Sequence, residues 1–477
     1  MEDVVGEFED VLLPDERLNQ RVRRFVEAAW QSPAESFPRM LQDVAQLEGA
    51  YRLLNNSRVT FSALHAPHAA KTAARAQAAA EVVVVHDTTE VETPYLDASK
   101  ASYLKTGRLG YRAHISLAVS LQAAAPARPF GVLSVQADFQ SQRPGSGGKK
   151  QSRNGWATAR STDKAFLRWF RGIEASAEAL ENVPNVVHVA DREADSYPLF
   201  HFVQQLGHGC VIRLRTDRRA KIADDDIDEE WSSLGKIAAE MQGSFERTVP
   251  LSKRGSKAAP AQLKRHPPRE SRGASLHYSA APVQLKKPHY QPATLPESLE
   301  LSLVRVWEPS PPEGEAPVEW LLLTTEPCET PAEIMRVVDL YRARWVIEEF
   351  FKALKTGCLI ESRQFETRQA LLNLLALFLP IAVHLLWLRS CARDAPDAPA
   401  TQAFTPLQLE VLRHTSYRKL PPNPTVLQAM WSLAGLGGHI PNNGWPGWQV
   451  LGRAFVTLAQ NVKTWQLAMH AAAAGKM

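Results

Sequence analysis

The chain has 477 residues, and its 55 lysines and arginines against 51 aspartates and glutamates give a formal net charge of +4. A hydrophobic fraction of 44% with 22% charged residues is ordinary for globular proteins, which excludes a fibrous or wholly disordered chain. Four widely separated cysteines are too few for a disulfide framework or a structural zinc site. The acidic N-terminus lacks the layout of a signal peptide, so we expect a cytoplasmic protein.

Helical and strand patterns alternate along the first half of the chain. Apolar residues recur every three or four positions over 17–30, and a second helix is predicted from Phe37 to about Asn55. Asp87 and Asp191 are each placed at the end of a buried strand, and a basic loop is expected at 143–155, before a helix. The predicted strands of this half are 82–86, 111–120, 130–139, 186–190 and 210–214.

The composition changes between residues 217 and 317, where an acidic cluster precedes a stretch rich in lysine, arginine and proline at 252–292. We interpret this region as an inserted β-rich subdomain with a disordered basic loop, since only 299–307 alternates as a strand does. A strand at 320–324 and one long helix over 331–355 are predicted next.

The segment 370–388 is almost long and apolar enough to span a bilayer, but Asn373, Pro380 and His384 interrupt it. We therefore expect a buried helix pair, bent or split at Pro380, and no membrane association. The C-terminal part is predicted to be helical, with a loop at 435–447.

The acidic residues carry the strongest chemical signal. Asp87 and Asp191 end strands, where functional groups of α/β folds collect, and Glu348 lies on the helix 341–355. Carboxylates converging from two strands and a helix would suit Mg²⁺, which prefers oxygen ligands. Helical spacing would also put Tyr341, Arg344, Glu348, Lys352 and Lys355 on one stripe. The alternatives are strand-end aspartates that cap turns and an exposed helix face with Glu–Lys pairs.

These residues lie in motifs that resemble a known family. HDTTE contains Asp87, ADREAD contains Asp191, and a Y-x2-R-x3-E-x6-K pattern runs from Tyr341 to Lys355. The segments DERLNQR, AYRLLNNSRVT, LHAPH and WLLLTTEPCET stand in the same order as in that family. The chain is similar to the DDE transposases of the IS-four family, and within it to the Tn-five type.

The resemblance implies an α/β fold with an RNase H-like core, that is, a mixed sheet with flanking helices. It also implies an inserted β-rich subdomain and helical N- and C-terminal domains. Asp87, Asp191 and Glu348 would be catalytic and would bind two Mg²⁺ ions, with Mn²⁺ able to substitute. The spacing of the motif selects Glu348 over Glu349. The predicted DNA contacts are Tyr341, Arg344, Lys352, Lys355, Trp320, Arg213 and Arg215.

The implied activity is cut-and-paste DNA transposition by a bacterial, nucleoid-associated homodimer. Its DNA partners would be the terminal inverted repeats and the target. Trp320 would stack on a flipped base, although a buried core tryptophan is the alternative. Two rival functions stay open: a silent, domesticated DNA-binding relative acting as an inhibitor, and a metal-dependent nuclease without strand transfer. The expected domains are 1–75 (end binding), 76–216 and 318–392 (catalytic core), 217–317 (insert) and 393–477 (dimerisation).

Overall fold

The computed structural model describes residues 4–41, 43–122, 125–139, 164–223, 230–251, 253–255, 267–440, 442 and 444–474. The chain forms two compact units. Unit 1 comprises residues 1–150, 174–184 and 345–477, and unit 2 comprises 151–173 and 185–344. The predicted basic loop at 143–155 and most of the acidic cluster lie outside the described residues.

The N-terminal part of unit 1 is helical, as predicted. A 3₁₀ turn precedes four helices: α1 (Glu16–Gln31), α2 (Phe37–Leu41), α3 (Val44–Leu54) and α4 (Phe61–Gln77). The single helix predicted from Phe37 to Asn55 is wrong, because α2 and α3 are separate. Asp43 explains the second start: its side chain accepts the Ala45 N–H at 2.8 Å, and an aspartate in this N-cap position begins a new helix.

Four strands follow in unit 1: β1 (Val82–Glu92), β2 (Ser102–Tyr103), β3 (Leu109–Gln122) and β4 (Ala125–Asp138). The predicted antiparallel pairing of β3 with β4 is confirmed, and β1 pairs antiparallel with the other edge of β3. Asp87 does not end β1, contrary to expectation, but lies opposite Ile115 within the ladder. The β-branched Thr88, Thr89 and Val91 continue the strand beyond it.

Unit 2 is built on a mixed sheet. Its helices are the first part of α5 (Lys164–Ala179), then α6 (Tyr197–Gln205), α7 (Leu234–Glu240) and α8 (Pro331–Ala343). Its strands are β5 (Val186–Ala190), β6 (Gly209–Arg213), β7 (Arg219–Ile222), β8 (Ser232–Ser233), β9 (Phe245–Leu251), β10 (Arg272–Lys286), β11 (Ser298–Trp307) and β12 (Glu319–Thr324). The order is β5-β6-β12-β11-β10-β7-β8, and β9 also pairs with β10. Only β5 and β6 are paired in parallel among these strands.

Strand β10 corrects the interpretation of 252–292 as a basic loop. Residues Arg272–Lys286 form a 15-residue strand at the centre of the insert, paired with β11 along ten positions. Its Val283 and Leu285 are fully buried in the core of unit 2. The basic composition of this stretch favoured a loop in the sequence analysis. In the structure the charge of Arg272 is compensated by ion pairs with Glu308 and Glu315, at 2.5 and 2.6 Å.

The rest of unit 1 is helical. After α9 (Trp345–Lys352) come a π-helical turn (Ala353–Gly357) and a 3₁₀ turn (Ile360–Ser362). The remaining helices are α10 (Arg368–Asp394), α11 (Pro406–Thr415), α12 (Val426–Leu436) and α13 (Trp448–Ala474). Within the described part of the chain, α10 alone is long and apolar enough to cross a membrane, and 89% of its most apolar window is buried inside the protein. It runs through Pro380 without interruption, so the predicted helix pair is wrong; burial on all sides outweighs the local cost of the proline.

The N-terminal helices pack directly on α10. The Asn373 side chain donates to the carbonyls of Leu54 and Val59, at 3.0 and 2.9 Å. The buried Arg363 guanidinium donates to the Pro33 carbonyl at 2.9 Å and lies about 5 Å from the rings of Phe37 and Phe378. These contacts join the N-terminal helices to the core of unit 1.

Candidate active site

Two of the three predicted metal ligands belong to unit 1 and lie on elements that pack against each other. Asp87 lies on β1 and Glu348 on α9, and α9 packs against β1. Both carboxylates are half-buried. One oxygen of Asp87 accepts the Thr88 N–H at 2.7 Å, which fixes the orientation of the carboxylate.

Glu349, the neighbour of Glu348, has a different environment. Its carboxylate binds the Arg389 guanidinium and accepts hydrogen bonds from Trp448 Nε1 at 3.0 Å and Lys352 Nζ at 2.8 Å. Burial raises the pKa of Glu349, but the Lys352 hydrogen bond and the Arg389 charge outweigh it and hold the pKa below its usual value. Glu349 therefore connects α9 to α10 through Arg389 and to α13 through Trp448.

The third predicted ligand, Asp191, belongs to unit 2. It follows β5 directly, as predicted, and one of its oxygens accepts the Glu193 N–H at 2.8 Å. Asp87, Asp191 and Glu348 are each half-buried, and carboxylate oxygens are ligands that Mg²⁺ prefers. Within the described ranges, no three His, Cys, Asp or Glu side chains are grouped closely enough to hold a metal. Assembly of the triad around metal stays a prediction.

The single long helix predicted over 331–355 is wrong, because it is interrupted at Arg344. Helix α8 ends at Ala343 and α9 begins at Trp345. Arg344 lies between them, and its N–H donates to the Tyr341 carbonyl three residues back, at 3.1 Å. Arg344 keeps right-handed helical dihedral angles (φ −53°, ψ −30°), and the stripe of five side chains stays a prediction. Tyr341 belongs to unit 2, and Glu348 and both lysines to unit 1.

The two predicted DNA-binding lysines of unit 1 have carboxylate partners in this structure. Lys352 is exposed and pairs with Glu349. Lys355 lies in the π-helical turn, where its Nζ is 3.3 Å from Glu361 and donates to the Glu90 carbonyl. Neither ion pair is fully buried, and the predicted contact of both lysines with DNA stays a prediction.

Unit 2 brings together three of the predicted DNA-binding side chains. The Tyr341 and Trp320 rings meet edge to face at 5.4 Å, and the Arg213 guanidinium lies 5.9 Å from the Trp320 ring. Helix α8 packs on β5 and β6, the strands that lead to Asp191 and carry Arg213. Trp320 is half-buried and lies outside the core cluster of unit 2, which disfavours the core alternative.

Sequence reasoning missed Arg192. Desolvation lowers the pKa of Arg192, and the charge of Arg213 lowers it further, although Tyr341 and Asp191 oppose this shift. Arg192 is therefore electrostatically coupled to all three of these residues. The sequence feature that could have identified Arg192 is its position directly after Asp191, at the end of a strand.

Arg215 and Arg218 differ in how accessible their guanidinium groups are to DNA. The Arg215 side chain is exposed, while its N–H donates to Asp195 at 2.7 Å. Arg218 is tied to the buried Asp195 carboxylate, so it stabilises the turn after β6 rather than extending a basic patch. Arg219 donates to the Trp231 carbonyl at 3.1 Å.

Two family models match parts of the chain. Residues 4–59 match a family model described as transposase DNA-binding, and residues 161–381 match one described as transposase DDE domain. The second match includes Asp191 and Glu348, whereas Asp87 lies between the two matched ranges. The chain therefore belongs to the DDE transposases, which are metal-dependent enzymes that cleave DNA.

Proposed function

We propose that this transposase is of the Tn-five type in the IS-four family and moves its element by a cut-and-paste route. It binds terminal inverted repeats, hydrolyses one strand at each element end, releases the end through a hairpin and joins the 3′ ends to target DNA. Two copies act together as a homodimer, in the bacterial cytoplasm. The observation that carries this proposal is the cluster of Trp320, Tyr341 and Arg213, a half-buried indole beside cationic and phenolic groups.

Each member of this cluster has a chemical role in hairpin formation. The half-buried indole of Trp320 offers a stacking surface for a base that has left the duplex. Arg213, with Arg344 and Arg215, neutralises phosphates beside that base. In unit 1, Lys352 and Lys355 do the same for the cleaved strand. An RNase H-like core is the fold that we propose for the sheets that carry these residues.

Asp87, Asp191 and Glu348 would hold the metal. Mg²⁺ bound there, as two ions or with Mn²⁺ in its place, supplies an activated water and stabilises the leaving oxygen. The backbone N–H groups of Thr88 and Glu193 orient the two aspartates for that task. Glu349 holds α9, the helix that carries Glu348, through Arg389 and Trp448.

Replacing Trp320 with alanine tests the proposal. Loss of a stacked base costs about 1–3 kcal/mol, so hairpin formation should slow about ten- to hundredfold while the first nick is unchanged. Trp307→Ala is a matched control, because Trp307 is also half-buried on a neighbouring strand with an arginine, Arg305, 4.4 Å from its ring. Equal slowing of both steps in Trp320→Ala, or the same selective defect in Trp307→Ala, would contradict the base-stacking role.

A further inference from the structure

The turn after α9 holds Lys355 against β1. Lys355 lies in the π-helical turn Ala353–Gly357 and donates to the carbonyl of Glu90, three residues beyond Asp87 on the same strand. π-Helical turns are rare and are frequently found at functional sites. The anchoring of Lys355 thus involves the strand that carries a candidate metal ligand.

Glu361 closes this arrangement through one carboxylate oxygen. Its Oε1 accepts the Glu92 N–H at 3.0 Å and lies 3.3 Å from Lys355 Nζ. A single group therefore links the ammonium to the backbone of β1. The two side chains are 26% (Lys355) and 30% (Glu361) exposed, so solvent screens the pair only in part.

The backbone that brings Glu361 back to Lys355 is strained. Leu359 has φ of 48°, and in the described part of the chain it is the only non-glycine residue with a positive φ. Such a conformation costs about 1–3 kcal/mol and persists where the surroundings enforce it. The Leu359 side chain is 38% exposed, so its burial offsets only part of this conformational cost. The left-handed backbone at Leu359 directly precedes the 3₁₀ turn Ile360–Ser362, which contains Glu361.

We propose that Glu361 is a positioning residue for Lys355. A free lysine side chain loses about 2 kcal/mol of rotamer entropy when it is ordered. Glu361 orders the ammonium within the folded protein, so that a phosphate of the cleaved end meets a preorganised cation. This inference rests on the proposed function, in which Lys355 contacts that phosphate.

Glu361→Gln separates the charge of this residue from its place in the fold. The amide oxygen still accepts the Glu92 N–H, but the ion pair with Lys355 is lost. A pair with this exposure contributes about 0.2–1 kcal/mol, so cleavage at saturating DNA should slow about 1.4- to fivefold, while end binding stays unchanged and the unfolding midpoint falls only slightly. Glu366→Gln is the control. It removes the same charge from an exposed residue five positions after Glu361.

A double-mutant cycle with Lys355→Met shows whether Glu361 acts through Lys355. We expect Glu361→Gln to have no further effect on cleavage in the Lys355→Met background. Additive losses, or full cleavage by Glu361→Gln alone, would overturn the inference about Glu361. Wild-type cleavage by Lys355→Met would instead overturn the proposed role of Lys355, so the two failures are distinguishable.

Discussion

Glu348 and Glu349 are adjacent, and we predict different tasks for them, catalysis for Glu348 and structural support for Glu349, that two isosteric substitutions can separate. Glu349→Gln removes the counter-ion of Arg389, whose side chain is only 13% exposed, and weakens the hydrogen bonds from Trp448 and Lys352. Breaking a buried pair costs about 3–5 kcal/mol. Because Glu349 is 26% and Lys352 56% exposed, we expect a smaller loss, about 2 kcal/mol, in unfolding free energy.

The same substitution should leave DNA cleavage intact at a temperature where the variant is folded. Glu348→Gln should do the reverse, abolishing cleavage with a smaller change in stability. Urea unfolding followed by tryptophan fluorescence, beside a gel assay on a labelled element end, measures both. The pH dependence gives an internal check. The pKa of Glu349 is below its ordinary value of 4.5, so its stabilisation is present above that pH and is lost as the pH falls through the lowered pKa.

Two results would refute this reasoning. One is a Glu349→Gln protein of wild-type stability that cannot cleave, beside a Glu348→Gln protein that can. The other is a stability difference between wild type and Glu349→Gln that persists unchanged in acid, where both residue types are neutral.

Other predictions concern the core of unit 1. Burial lowers the pKa of His384 to about 4, so stability should fall as the pH drops from 6.5 towards 4, where only the unfolded chain binds the proton. His384→Phe should flatten that slope by up to about 1.4 kcal/mol per pH unit in urea titrations. Arg363→Met should cost about 3 kcal/mol in the same assay, because the Pro33 and Cys358 carbonyls lose a donor; an unchanged midpoint would contradict this.

The sequence predicted strands better than their ends. Alternation and β-branched runs located β3, β4, β5, β6, β11 and β12, because side-chain burial alternates with a period of two. It misplaced Asp87, since Thr88 and Thr89 are compatible with both a strand and a turn. Strand β10 was hidden by basic residues whose carboxylate partners, such as Glu308, are remote in sequence.

Some features of the candidate site were likewise predicted from the sequence, and others were not. Motif spacing selected Glu348 over Glu349, and this stays a prediction. The structural partners of Glu349, Arg389 and Trp448, could not be predicted because they lie 40 and 99 positions away in sequence. Local periodicity could not reveal the break at Arg344, because one 3₁₀-type hydrogen bond leaves no pattern in residue types. Nor could it reveal Glu361 as the partner of Lys355, which depends on the left-handed turn at Leu359.

The decisive measurement is cleavage and joining of end-labelled DNA that carries the element's own terminal repeats, with Mg²⁺ and the full-length protein. We predict a nick at the element end, then a hairpin, then joined target products, all lost in Asp87→Asn, Asp191→Asn and Glu348→Gln proteins that still bind the ends. Binding without any nick would indicate a silent relative. Nicking without hairpin or joined product would indicate a nuclease, and either result would contradict cut-and-paste transposition by this chain.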